Sequence, residues 1–276
     1  MADDSLDDFT RETFTHSGTT KTIYRLGSGP AVIVMSEIPG ITPKVAEFAR
    51  KVAEIGCTAV MPSLFGTDGH DLLNNDRGIA GKVSDLTTLL PQMCISREFT
   101  RFAVGKSSPV VDWLRALAAA EHERCGGPGV GAIGMCFTGG FALAMAVDDR
   151  VLAPVLSQPS MPVGITASRR RNIDISPADL AVVKDRCAAG GLQVLGMRFQ
   201  GDRMVPRARF EFLREQLGDA FISIELDNAD ANPAAPIPPH SVVTEHLIDE
   251  PGQPTHDALQ QVLELFRTKL EVSAGA

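Results

Sequence analysis

The sequence predicts an α/β protein with a mostly parallel central sheet and helices on both faces. Three observations carry this. Short apolar runs such as residues 31–35 and 57–61 have the length of strands covered on both sides. They alternate with helix-length segments that start at Ser-Pro or Thr-Pro pairs and stop at glycine. The residues with chemical potential, Glu37, Cys136, Asp202 and His240, each follow a predicted strand. In parallel sheets that carboxyl edge is where ligands bind.

Taken in order, residues 1–20 read as a polar, partly disordered N-terminal extension with room for one strand from Thr13. Residues 21–26 read as an edge strand, and 31–35 as the first core strand, ending at Ser36-Glu37-Ile38-Pro39-Gly40. Thr42 then serves as N-cap with Pro43 at the first helical position. Val45, Phe48, Val52 and Ile55 follow at helical spacing, and Gly56 closes the helix. Residues 57–61 form the next strand. Residues 63–106, rich in Gly, Asp and Asn, read as a long lid-like excursion over the surface.

Ser108-Pro109 opens another helix, with Val110, Trp113, Leu114 and Leu117 on one face. A glycine-rich turn leads into a strand that ends at Cys136, and a helix follows from about 138 to 146. A strand at 152–156 is followed by a mobile segment to Ile175. Ser176-Pro177 caps a further helix, and residues 192–199 form a strand ending at Gly201-Asp202. A helix from Pro206 to Gly218 precedes an alternating, half-exposed strand at 221–226 near the sheet edge. A Pro/Ala/Asn-rich loop carries His240, and a last helix spans about 255–269. No repeat or linker interrupts the chain, so one domain is expected.

Composition narrows the function. Among the 276 residues the net charge is −8, and the only basic triplet, Arg169-Arg170-Arg171, reads as a solvated loop, so no nucleic-acid partner is expected. The first eight residues are acidic and polar, unlike a secretory signal, and no apolar run approaches the ~20 residues needed to cross a bilayer. An odd number of cysteines without disulfide spacing points to a reducing cytoplasm. The composition is compatible with a monomer or a homodimer. With no C-x-x-C pair and no H-E-x-x-H, neither a metal nor another cofactor is expected. The G-x-G-x-x-G match at 129–134 lies before and within a strand, where a dinucleotide fingerprint must open a helix. Gly105-Lys106-Ser107 lacks the first glycine of a phosphate loop, having Thr100 there.

The most informative stretch is residues 131–140. Small residues around Cys136 permit a sharp strand-to-helix turn that lifts one side chain above the sheet, a nucleophile elbow with cysteine in place of serine. A thiol is mostly protonated at neutral pH, so a base or a helix N-terminus must help it ionise. The base should be a histidine whose other ring nitrogen faces a carboxylate. Cys136, Asp202 and His240 stand in the order nucleophile, acid, histidine that such elbows use. The oxyanion of acyl transfer needs two backbone donors. Phe137, next after the nucleophile, and Ile38, after an early strand, are the candidates. Cys57, Cys94, Cys125 and Cys187 read as inert apolar residues. His246 and His256 read as exposed residues near the last helix.

At this point residues 25–266 resemble the dienelactone hydrolase family, a branch of the α/β-hydrolase fold with a cysteine nucleophile. The carriers are residues 34–40, the elbow 134–140, Gly201-Asp202-Arg203-Met204-Val205-Pro206 and His240-Ser241. The resemblance implies cleavage of a small ester or lactone without metal or cofactor. Cys136 would be nucleophile, His240 base and Asp202 its orienting acid. Glu37 would be the extra carboxylate that pairs with the resting thiol. Two departures stand out. Thr138 occupies a position the family elbow gives to glycine. Ser241-Val242-Val243-Thr244 also lacks the arginine that follows the histidine in dienelactone-cleaving members, which leaves Arg97 or Arg101 to supply a positive charge to substrate. Fold does not fix function, so a binding or thiol-redox-sensing protein on the same scaffold is the alternative that an accessible thiolate allows.

Overall fold

The computed structural model describes residues 3–71 and 108–272. The chain begins with a hairpin, Thr10–His16 (β1) and Thr19–Gly27 (β2), closed by Ser17-Gly18, both at positive φ. Such two-residue turns match the right-handed twist of paired strands. This corrects the expectation of a partly disordered extension. β1 is exposed along most of its length, so no apolar alternation marks it in the sequence. It is anchored by Phe14, whose ring meets Trp113 edge-on at 5.3 Å. Ahead of it Leu6 and Phe9 are buried, and Arg50 binds both Asp4 and Asp8. β1, and not the strand at 21–26, is therefore the edge.

The remaining strands are Ala31–Met35 (β3), Thr58–Pro62 (β4), Val130–Met135 (β5), Val151–Ser157 (β6), Val194–Phe199 (β7) and Phe221–Leu226 (β8). Their order across the eight-stranded sheet is β1-β2-β4-β3-β5-β6-β7-β8. From β4 to β8 all neighbours are parallel, while β1 and β2 are antiparallel additions. β3 and β5 are buried at every residue, which is why they read as continuous apolar runs. β8, at the other edge, is buried only at its ends.

Helices cover both faces. Pro43–Glu54 (α1) is capped by Thr42, whose hydroxyl accepts from the Val45 N–H at 3.3 Å. Pro109–Cys125 (α2), Gly139–Met145 (α3), Ala167–Arg170 (α4), Pro177–Ala188 (α5), Arg207–Leu217 (α6) and Pro254–Lys269 (α7) follow. One core layer joins α1 and α7 to the sheet through Val45, Phe48, Val262 and Phe266. The other joins α2, α3, α5 and α6 through Trp113, Phe141, Val183 and Phe210. The sheet and its two helical layers have the arrangement of an α/β-hydrolase fold. Among the described residues no helix is long and apolar enough to cross a membrane.

The parallel strands point their carboxyl ends at one rim. β3 runs out into Glu37, β5 into Cys136, β6 into Gln158 and Ser160, and β7 into Asp202. The loop after β8 returns His240 to the same rim. Residues 72–107, including most of the expected excursion with Arg97, Arg101 and Cys94, lie outside the described residues.

Candidate active site

Cys136 stands at the end of β5 with φ +53, a conformation that non-glycine residues adopt only when their surroundings enforce it. The surroundings are visible. A Cβ on Gly134 would lie 2.1 Å from the Thr138 carbonyl oxygen, and one on Gly139 2.6 Å from Pro159 Cα. Only glycine lets the chain fold back this tightly. Thr138, where the family has glycine, sits at an ordinary φ of −85 and adds bonds of its own. Its hydroxyl accepts from the Met135 N–H at 2.9 Å. Its single proton has the carbonyls of Met35 and Met135, each at 3.0 Å, as acceptors. The substitution thus ties the elbow to the end of β3.

His240 Nδ1 and Asp202 Oδ2 are 2.6 Å apart, and both residues are buried. Asp202 is fixed in turn by the Met204 N–H, which donates to Oδ1 at 2.8 Å. Burial by itself would lower the His240 pKa, but the Asp202 carboxylate and the nearby Cys136 sulfur outweigh it and push it up to about 11. No well-aligned hydrogen bond reaches His240 Nε2, which leaves that nitrogen for proton exchange at the cavity. Cys136, His240 and Asp202, far apart in the chain, thus meet at one rim of the sheet.

Glu37 is placed differently from the pairing that the resemblance implied. Its Oε2 accepts from Ser241 Oγ at 2.6 Å and from Gln158 Nε2 at 3.3 Å, and its Oε1 accepts from Thr244 Oγ1. The resting sulfur lies instead 3.3 Å from Ser160 Oγ. The cause is local. Ser241 and Thr244, which stand in the stretch where an arginine would be found, are hydroxyl donors that draw the carboxylate to their own loop.

Ile38 and Phe137 both line the cavity beside Cys136. The turn that carries Ile38 is closed by the Gly40 N–H, which donates to the Glu37 carbonyl at 2.8 Å. The Ile38–Pro39 peptide is cis. The cavity has a volume of about 660 Å³. Its polar lining comes from Glu37, Cys136, Ser160, Arg203, His240 and Glu245, and its apolar walls from Pro39, Phe137, Met161, Val163, Ile165 and Met204. Val163, Ile165 and Met204 are more than half exposed at its mouth.

Several functional neighbours escaped the sequence reading. His246, expected to be exposed, is buried. Its Nδ1 accepts from the Ser241 N–H at 3.1 Å, and its Nε2 donates to the Ile237 carbonyl at 3.0 Å, so it holds the loop of His240 in shape. Burial keeps its pKa low, consistent with that neutral tautomer. His256 is half-buried and pairs with Asp249. Arg209 is fully buried on α6, and its guanidinium donates to the carbonyls of Pro159, Pro162 and Asn172. It thereby fixes the segment expected to be mobile. Its only trace in the sequence is a charged residue beside the apolar face of Phe210, Leu213 and Leu217. Of the other cysteines, Cys57 and Cys187 are buried with raised pKa values, and Cys125 is half-buried; all are free.

Comparison with known proteins decides the family. The model of the dienelactone hydrolase family matches residues 20–173, more than half of the chain. The chain belongs to the dienelactone hydrolase family. It is thus a member of a hydrolase family, on the fold that family uses. No curated protein matches the sequence. Among solved structures it is similar to a dienelactone hydrolase from Anabaena variabilis, with TM-score 0.54 and 18% identity over 95% of this chain and 99% of that one. A dienelactone hydrolase-like promiscuous phosphotriesterase from metagenomic libraries superposes with TM-score 0.55 and 18% identity, covering 95% and 98% of the two chains. An acylaminoacyl peptidase from Pyrococcus horikoshii superposes over 98% of this chain but 43% of its own, with TM-score 0.54 and 12% identity. At these identities the likeness is one of fold.

Proposed function

We propose that this family member hydrolyses small carboxylic esters or lactones through an acyl-thioenzyme on Cys136. One observation carries the reading: a cysteine held at φ +53 on a strand-to-helix elbow shares a cavity with a histidine that is bonded to a buried aspartate. That constellation is what nucleophilic acyl transfer needs.

The sulfur reacts as a thiolate beside a His240 imidazolium, which Asp202 stabilises at Nδ1. The sulfur attacks the carbonyl carbon, and the carbonyl oxygen takes up the negative charge. The N–H groups of Ile38 and Phe137 receive that oxyanion. Collapse expels the alkoxide, which takes the proton from His240 Nε2 and leaves a thioester. His240, now neutral, accepts a proton from water as the water attacks the thioester carbon. The carbon–sulfur bond then breaks, the acid departs, and thiolate and imidazolium are restored. Asp202 keeps its charge throughout and holds the imidazole in the required tautomer. Glu37 supports the site through Ser241, the residue after the base, and is not itself bonded to the sulfur. The mainly apolar walls suit a small acyl group.

The test is turnover of activated esters such as p-nitrophenyl acetate, with a panel of lactones and aryl esters alongside. Cys136→Ala should lower kcat by on the order of 10⁴-fold or more, because members of such a constellation act as a unit. Undiminished turnover in that variant would exclude this mechanism.

A further inference from the structure

We propose that Ser160 is a positioning residue for the nucleophile, the group that holds the Cys136 sulfur and favours its thiolate. This rests on the reading of Cys136 as nucleophile. The two residues are tied twice. The Ser160 N–H donates to the Cys136 carbonyl at 2.9 Å, and Ser160 Oγ lies 3.3 Å from Cys136 Sγ. Both side chains are almost wholly buried, Ser160 at 5% and Cys136 at 8% exposed, so water does not readily replace either partner.

The carboxylate that could have filled this role is occupied. Both oxygens of Glu37 accept hydrogen bonds from Ser241, Thr244 and Gln158. The exchange of partner changes the chemistry. A carboxylate beside the sulfur repels a thiolate and pairs only with the thiol. A hydroxyl donates to the thiolate and loses that strong acceptor when the sulfur takes a proton. A hydrogen bond to a charged group is worth more than one to a neutral group, so the Ser160 hydroxyl favours the ionised form. The imidazolium of His240, which also interacts with the sulfur, acts in the same direction.

Ser160 is itself held in place. Arg209 donates to the carbonyls of Pro159 and Pro162, which bracket it. On the sheet side, Pro159 closes against Gly139 at the start of α3. The serine thus sits in a segment clamped from both ends, with its hydroxyl delivered to the elbow.

The experiment is the pH profile of Cys136 alkylation by iodoacetamide, read by mass spectrometry of the peptide that carries Cys136. It is run on wild type, Ser160→Ala, Ser160→Gly and Ser160→Thr, with far-UV circular dichroism to confirm folding. Loss of the hydroxyl in Ala or Gly should move the midpoint upward by about one pH unit, the shift a charge-assisted hydrogen bond produces. Thr, which keeps the hydroxyl, should restore the wild-type midpoint. Below the midpoint kcat/KM for p-nitrophenyl acetate should fall about tenfold in Ala, and the deficit should vanish above it. A profile unchanged or shifted downward in the folded Ala or Gly variant would overturn the role of Ser160. Wild type that alkylates at Cys136 but turns over no ester would instead sink the hydrolase reading and leave the alkylation comparison intact.

Discussion

At the scale of single residues, the two departures from the family pattern have physical explanations. Thr138 exchanges the freedom of glycine for a hydroxyl that satisfies the Met135 N–H and reaches the Met35 carbonyl. Buried hydrogen bonds contribute about 1 kcal/mol each, and glycine at the same place would add backbone entropy to the unfolded chain. Thr138→Gly should therefore cost about 2–3 kcal/mol in urea unfolding. Thr138→Ser, which keeps the hydroxyl, should cost far less; equal losses would show that the methyl group matters more than the bonds. The second departure, Ser241 and Thr244 in a stretch without arginine, redirects Glu37 from the sulfur to the loop of His240. The sequence displayed both substitutions. It could not display their consequence, because each depends on a partner a hundred or more residues away.

At the scale of elements, the site depends on how the ends of strands are tied down. The segment between β6 and α5 reads as mobile because its residues are polar and aperiodic. What orders it is Arg209 on α6, whose guanidinium serves several of its carbonyls at once. Burial lowers the Arg209 pKa to about 10, with Asp174 and Asp202 opposing, so it remains charged at neutral pH. Arg209→Met removes those donors and leaves buried carbonyls unpaired, at about 1–3 kcal/mol for each group left unsatisfied. It should lower the melting temperature and, since Ser160 and Met161 belong to this segment, reduce kcat/KM for an activated ester. A variant less stable but equally active would confine Arg209 to folding. The full extent of β1 was hidden for a related reason. An exposed strand carries no apolar alternation, and only Phe14 and the Ser17-Gly18 turn betray it. The capped helices were legible because their signals are local: Thr42 before Pro43, Ser176 before Pro177, Gly218 after Leu217.

At the scale of the whole molecule, parallel topology converts four distant sequence positions into one rim, so the fold and the gathering of Cys136, Asp202 and His240 could be read from strand order. The hydrogen bonds that tune them could not. Stability carries a further signature of the rim. Burial, reinforced by Glu37 and Asp71, raises the pKa of Glu245 on the cavity wall from 4.5 to about 7, with Lys44 opposing. Between those values the folded protein keeps a proton that the unfolded chain releases, so this contribution to stability is present below pH 4.5 and is lost as pH rises through 7. Glu245→Gln should accordingly stabilise the protein more at pH 8 than at pH 5, in urea titrations at about those values; an equal effect at both would contradict the raised pKa. The central claim is that Cys136 carries the acyl group. Rapid acid quench of the enzyme during turnover of p-nitrophenyl acetate, followed by peptide mass spectrometry, tests it most directly. The account predicts an acetyl adduct on the peptide containing Cys136, absent in Cys136→Ala. An adduct on Ser160 instead, or sustained turnover in the wild type with acetyl on neither residue, would contradict it.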